Sequence, residues 1–101
     1  MRLYDIAKIV RSKNAGPFNL TVDLIFEDAK KYETVLKAAS FNPFAIAGLY
    51  GVDADDVRIY PFKRILAIKV TMPRPISSGA PGDTDVYGSQ QHFPLAEMEI
   101  V

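Results

Sequence analysis

Apolar and polar residues alternate most cleanly in NLTVDLIFE, residues 19–27, where Leu20, Val22, Leu24 and Phe26 share one side and Thr21 and Asp23 the other. A period of two is the period of a β-strand, so this stretch predicts a strand with one face on a core. Ile25 on the polar side predicts that part of that face is covered as well. Upstream, Leu3, Ile6, Ala7 and Val10 recur at helical spacing and predict a helix of about two turns. An extended segment is the alternative, because Ile9 and Val10 also suit a strand. Gly16 and Pro17 then end any helix, and RSKNAGPF, residues 11–18, reads as a turn.

Downstream the period lengthens. Asp28 is placed to cap a helix whose stripe is Tyr32, Val35, Leu36 and Ala39, with Lys30, Lys31, Glu33 and Lys37 in water. A second short helix begins at Asn42 as N-cap with Pro43 in its first turn. It runs through Phe44, Ile46 and Leu49 to Gly51, where a C-terminal glycine cap belongs. DVRIYPFKRILAIKVTMP predicts two strands, with Val57 and Ile59, then Leu66, Ile68, Val70 and Met72, facing the core. Pro61 and Phe62 fall at their connection, where a missing ladder donor costs least. The closing PLAEMEIV sets Ala96, Met98 and Ile100 against Glu97 and Glu99 and predicts a last strand, in an antiparallel sheet with one wet side.

Helix, strand, helix, helix, strand, strand, long loop, strand is close to the split βαβ plan. It predicts an α+β, ferredoxin-like sandwich, an antiparallel sheet with helices on one face, formed by residues 1–101 as one domain. The second crossover helix of that plan is replaced by Pro73–Pro94, which holds Pro73, Pro75, Pro81, Pro94, Gly79, Gly82, Gly88 and the only histidine, His92. Within it, residues 83–88 are an optional extra edge strand.

Composition narrows the function classes. Twelve basic and twelve acidic residues cancel, so no basic face for nucleic acid is implied, and weak self-repulsion eases association. There is no cysteine, which removes disulfide scaffolds and zinc ribbons. No apolar run approaches the roughly 20 residues that span a bilayer. The charged N-terminus does not read as a signal peptide, and the expected location is the cytoplasm.

Three phrases carry a family resemblance: LYDIAKIVRSKNAGPFNLTVDLIF, IKVTMPRPISSGAPGDTDVYGSQQHFPL and the final MEI. Over nearly its whole length the chain resembles a family of small bacterial proteins that accompany acyclic-terpene-utilisation (AtuA-like) proteins. More distantly, it is similar to the ferredoxin-like C-terminal domain fused to many AtuA-like proteins. Lys13, Asn14 and Gly16 depart from that domain's usual loop. The resemblance implies an AtuA-like large subunit as partner and a setting in the breakdown of branched or unsaturated acids, free or as CoA thioesters. It implies no catalytic residue and no cofactor.

Five groups of residues offer chemistry or contact, the first four each with a plainer alternative. Arg11, Ser12, Lys13, Asn14 and Gly16 crowd into one predicted turn. Arg11 is suited to grip a carboxylate or phosphate in two-pronged fashion, with Lys13 as a second charge and Gly16 opening backbone N–H groups to the anion. A solvated turn is the alternative. Asp83 and Asp85 flank Thr84; such a pair can hold a hard cation or divide acid and base roles, but no calcium-loop pattern follows and no metal is assigned. Turns that stiffen the loop through side-chain bonds to backbone are the alternative. His92 is the one side chain that ordinarily titrates near neutrality, and with Asp83 or Asp85 it forms the weak catalytic set; an interface histidine is the alternative. Arg74, pinned extended between Pro73 and Pro75, is a stiff interface anchor or a strand terminator. Phe62, Tyr87 and Phe93 fall in or beside loops and are read as rings covering a subunit contact.

Three functions compete. One is an interaction module, a small subunit forming homo- or hetero-oligomers, with no nucleic-acid or membrane partner and no chemistry of its own. The second is a stand-alone lyase or hydratase on a small carboxylate, with Arg11 and Lys13 holding the anion. The third is a ligand-binding regulatory domain, by analogy of fold alone.

Overall fold

The computed structural model of the chain describes residues 2–14, 19–73 and 93–100. Two antiparallel hairpins supply the sheet. Strands β1 (Ile9–Asn14) and β2 (Asn19–Ile25) form the first; β3 (Arg58–Phe62) and β4 (Ala67–Pro73) form the second. β2 also pairs antiparallel with β4, giving the order β1-β2-β4-β3. Between the hairpins run helices α2 (Ala29–Lys37) and α3 (Pro43–Tyr50); α1 (Leu3–Ile6) opens the chain and α4 (Phe93–Ala96) lies near its end.

The α+β, ferredoxin-like expectation holds, with one rearrangement. β2, the α2–α3 crossover and β3 form a split βαβ unit, with β4 inserted between the two strands. The edge beside β2 is filled by β1 from the N-terminal side, not by a strand from the C-terminal side. Three expectations are corrected here. The first helix is one turn, and Arg11 to Asn14 are strand rather than turn. The closing segment is not a sheet strand: it makes the α4 turn and then a lone bridge, Arg2 to Glu99. Its alternation is nonetheless real, with Ala96, Met98 and Ile100 buried and Glu97 and Glu99 exposed. Alternation reports which way side chains face, not what the backbone pairs with. The main-chain N–H of Leu3 donates to Met98 at 2.8 Å, and Arg2 reaches Asp5 and Glu97 at 3.4 Å each, so the two ends are tied to each other.

One face of the sheet carries Leu20, Val22 and Leu24 in register with Met72, Val70 and Ile68, all buried. Tyr32 and Val35 of α2, Ile46, Ala47 and Tyr50 of α3, and Leu3 and Leu95 of the terminal turns close over this face in one cluster. Phe26 meets Tyr32 edge to face at 6.1 Å. Both long helices start as expected. Asp28 accepts from the Lys31 N–H at 2.8 Å, and Asn42 accepts from the Ala45 N–H at 2.9 Å. Gly51 ends α3 at φ 67°, ψ 35°, a left-handed conformation that glycine takes without steric cost. Pro61 and Phe62 lie inside β3, not at its connection. β3 is an edge strand, so the proline's missing donor leaves no ladder partner stranded.

Candidate functional site

The second face of the sheet is open in part, with Thr21 and Ala67 buried and Ile9, Arg11, Lys13, Tyr60 and Phe62 exposed, and the registers set its side chains in three rungs across all four strands. Ile9, Ile25, Ala67 and Phe62 form an apolar rung. Arg11, Asp23, Lys69 and Tyr60 form a charged rung beside it. Lys13, Thr21, Thr71 and Arg58 form a third. Over these rungs lies a concavity of ≈ 370 Å³ whose walls are Lys13 of the third rung, Arg11, Asp23 and Lys69 of the second, and the apolar Ile25, Phe62, Ile65 and Ala67.

Charge in this cleft is unbalanced. Arg11, Lys13 and Lys69 face one carboxylate, Asp23. Only Arg11 reaches it, at 3.8 Å, and an exposed pair at that distance contributes little. Among the described residues neither Lys13 nor Lys69 has a carboxylate within ion-pair distance. The Lys69 ammonium stands 6.0 Å from the centre of the Phe62 ring, at the limit of a cation–π contact. Arg58 is engaged elsewhere, donating to the main-chain carbonyls of Asp55 and Val57.

The apolar lip comes from the β3–β4 turn. After a 3₁₀ segment at Lys63–Ile65, Leu66 adopts φ 51°, ψ 47°. It is the one non-glycine with positive φ among the described residues. Its N–H donates to Lys63 and its carbonyl accepts from Phe26, which holds this disfavoured backbone in place. Such strain clusters where a protein positions a side chain for use. Here it leaves Ile65 at 67 % exposure and Phe62 at 44 %.

The predicted anion cluster is thereby divided. Arg11 and Lys13 lie together on the open face. Ser12 points the other way: it is in register with Val22 and only 6 % exposed, so it cannot share a ligand with them. Asn14 closes β1 opposite Leu20. Phe93 is the first residue of α4. Gly16, Arg74, Asp83, Asp85, Tyr87 and His92 lie outside the described residues. Asp23 and Lys69 were not singled out by sequence, although each is the one charged residue of its strand. That signal becomes a site only when the register sets the two side by side.

A second surface is apolar and convex. α3, PFAIAGLY, has no charged or amide side chain. Ile46, Ala47 and Tyr50 turn inward, which leaves Phe44 81 % and Leu49 44 % exposed, with Gly48 between them. A Cβ built on Gly48 meets nothing within 4 Å. Of Phe44, Ile46 and Leu49, the apolar residues through which this helix was expected to run, only Ile46 is buried.

A family model matches residues 3–99. The chain belongs to that family, the domain of unknown function DUF4387. The DUF4387 match takes in both surfaces, the sheet cleft and the outward side of α3. No curated protein and no solved structure matches the chain. Among the described residues no helix is long and apolar enough to cross a membrane.

Proposed function

We propose that this DUF4387 chain is a small subunit that docks on an AtuA-like large subunit in the catabolism of branched or unsaturated acids, free or as CoA thioesters. It contributes contacts rather than bond-making groups. The observation that carries this reading is the outward face of α3. A helix bathed in water presents charge on its wet side; a helix that is apolar all round is covered by something. Phe44, Gly48 and Leu49 form such a face and no part of the described chain covers it. Gly48 adds a second support. Glycine inside a helix costs about 0.5–1 kcal/mol relative to alanine, and no neighbour among the described residues requires its small size. Close approach by another backbone does require it. The choice of partner rests on the sequence resemblance to companions of AtuA-like proteins, and near-zero net charge favours association.

The test is recovery from the native host. The tagged chain is expected to bring down an AtuA-like protein, identified by mass spectrometry. Phe44→Glu, at an exposed position, is expected to keep the fold and lower that recovery by about tenfold or more, as for an aromatic anchor at the centre of an interface. Capture of no AtuA-like protein, or equal capture by Phe44→Glu, overturns the proposal.

A further inference from the structure

We infer that the open-face cleft is a binding site for a small amphipathic carboxylate, its anionic end on Arg11, Lys13 and Lys69 and its apolar chain on Ile25, Ala67, Phe62 and Ile65. The inference stands on the sheet alone and does not rest on the docking surface of α3.

Three observations converge. First, the cleft gathers three cations around one carboxylate, and among the described residues two of the three cations have no ion-pair partner. A bound anion supplies the missing counter-charge. Arg11 offers a planar fork that matches a carboxylate, with the lysines as adjustable point charges. Second, the polar and apolar parts are adjacent rungs, not mixed. Residues two apart on an antiparallel strand are separated by about 6.8 Å. An anion seated between Arg11 and Lys69 thus has room for a chain of about six carbons, at ordinary bond lengths, to run over Ala67 towards Phe62 and Ile65. Third, ≈ 370 Å³ is at the small end of the range for small-molecule sites, which suits a short acid.

The same charges argue against a second copy of the chain on this face. A two-fold pairing sets a patch against itself and would bring the Arg11, Lys13 and Lys69 groups of both copies together with too few carboxylates between them. Asp23 has a definite part in the proposed site. It stands 3.8 Å from the Arg11 guanidinium, a weak exposed pair that is given up at small cost when a ligand carboxylate arrives.

The experiment is titration of the isotopically labelled full chain with hexanoate, followed by two-dimensional NMR at constant ionic strength. Saturable shifts are expected for the amides of Arg11, Asp23, Ile25, Phe62, Ala67 and Lys69. Hexylamine, with the charge reversed, is expected to leave them unmoved, and acetate, lacking the chain, to bind at least about fivefold more weakly. Arg11→Gln and Lys69→Gln are each expected to weaken hexanoate about tenfold or more, the usual worth of a charge-assisted hydrogen bond. Two separate variants guard against one of them failing to fold. Phe44→Glu, remote from the cleft, is expected to bind hexanoate as the wild type does, so loss of docking and loss of ligand are distinguishable. Unsaturable shifts, equal response to hexylamine, undiminished binding by both variants, or a concentration-dependent dimer formed through this face would overturn the assignment.

Discussion

Helices α2 and α3 lie in sequence one after the other, begin with the same chemistry and cover the same sheet face, yet they differ on the side turned to solvent. Each is capped by a short side chain that accepts from a main-chain N–H three residues on. Each buries its inner residues in the common core, Tyr32 and Val35 from α2, Ile46, Ala47 and Tyr50 from α3. Outward, α2 presents Lys30, Lys37 and Thr34, with an i, i+4 pair between Glu33 and Lys37 at 3.3 Å. α3 presents Phe44, Gly48 and Leu49. Folding this domain requires only the inner faces. The outer faces are free to differ: that of α2 is charged and that of α3 apolar, and the proposed docking places the partner on the apolar one.

The largest expected effect sharpens the inner half of that comparison. Ile46→Ala should cost about 3 kcal/mol, because a fully buried side chain is replaced by a cavity. Phe44→Ala, two residues away, should change stability by less than about 0.5 kcal/mol. Urea unfolding with an unchanged slope checks both. Equal costs would mean that Phe44 is packed within one chain and would remove the contrast.

Tyr50 comes next. Its hydroxyl accepts from the Leu95 N–H at 3.3 Å and so fastens α4 to α3. Burial drives its pKa well above the ordinary 10.0, partly offset by that hydrogen bond. The unfolded chain then releases this proton at lower pH than the folded one. The contribution is therefore fully present below about pH 10 and is lost as pH rises above it. Tyr50→Phe should cost about 1.5 kcal/mol at neutral pH by stranding a buried donor. It should also flatten the alkaline fall in stability, leaving the part due to Tyr32, whose pKa burial likewise raises. A pH series of unfolding curves reads both effects.

The caps should be indistinguishable. Asp28→Ala and Asn42→Ala are each expected to cost about 1 kcal/mol, so the two helices differ in their surfaces and not in how they start. Smallest of all, Gly48→Ala should stabilise the isolated chain by about 0.5–1 kcal/mol while reducing partner recovery. A stabilised chain with undiminished recovery would show that the notch is not used.

Which of these features were readable from residues alone follows from what periodicity measures. Strand β2, the two caps and the Gly51 terminator were legible because each depends on a local preference. The facing of Ala96, Met98 and Ile100 was legible too, but their secondary structure was not: β1 already fills the edge beside β2, and only tertiary topology decides that. The short reach of α1 was ambiguous because Ile9 and Val10 satisfy both periods. The exposed side of α3 was hidden for a different reason. A helix reveals its inner face by contrast with a polar outer one, and PFAIAGLY has no contrast to offer. Arg11 and Lys13 were identified as a pair, but Asp23 and Lys69 join them only through strand register, a long-range property.

The most direct measurement is site-specific photo-crosslinking in the native host. A benzoylphenylalanine is placed at residue 44 of α3 in one version of the chain and at residue 37 of α2 in another. The account predicts an adduct with an AtuA-like large subunit from position 44 and none from position 37. No such adduct at 44, or one of equal yield at 37, would contradict it.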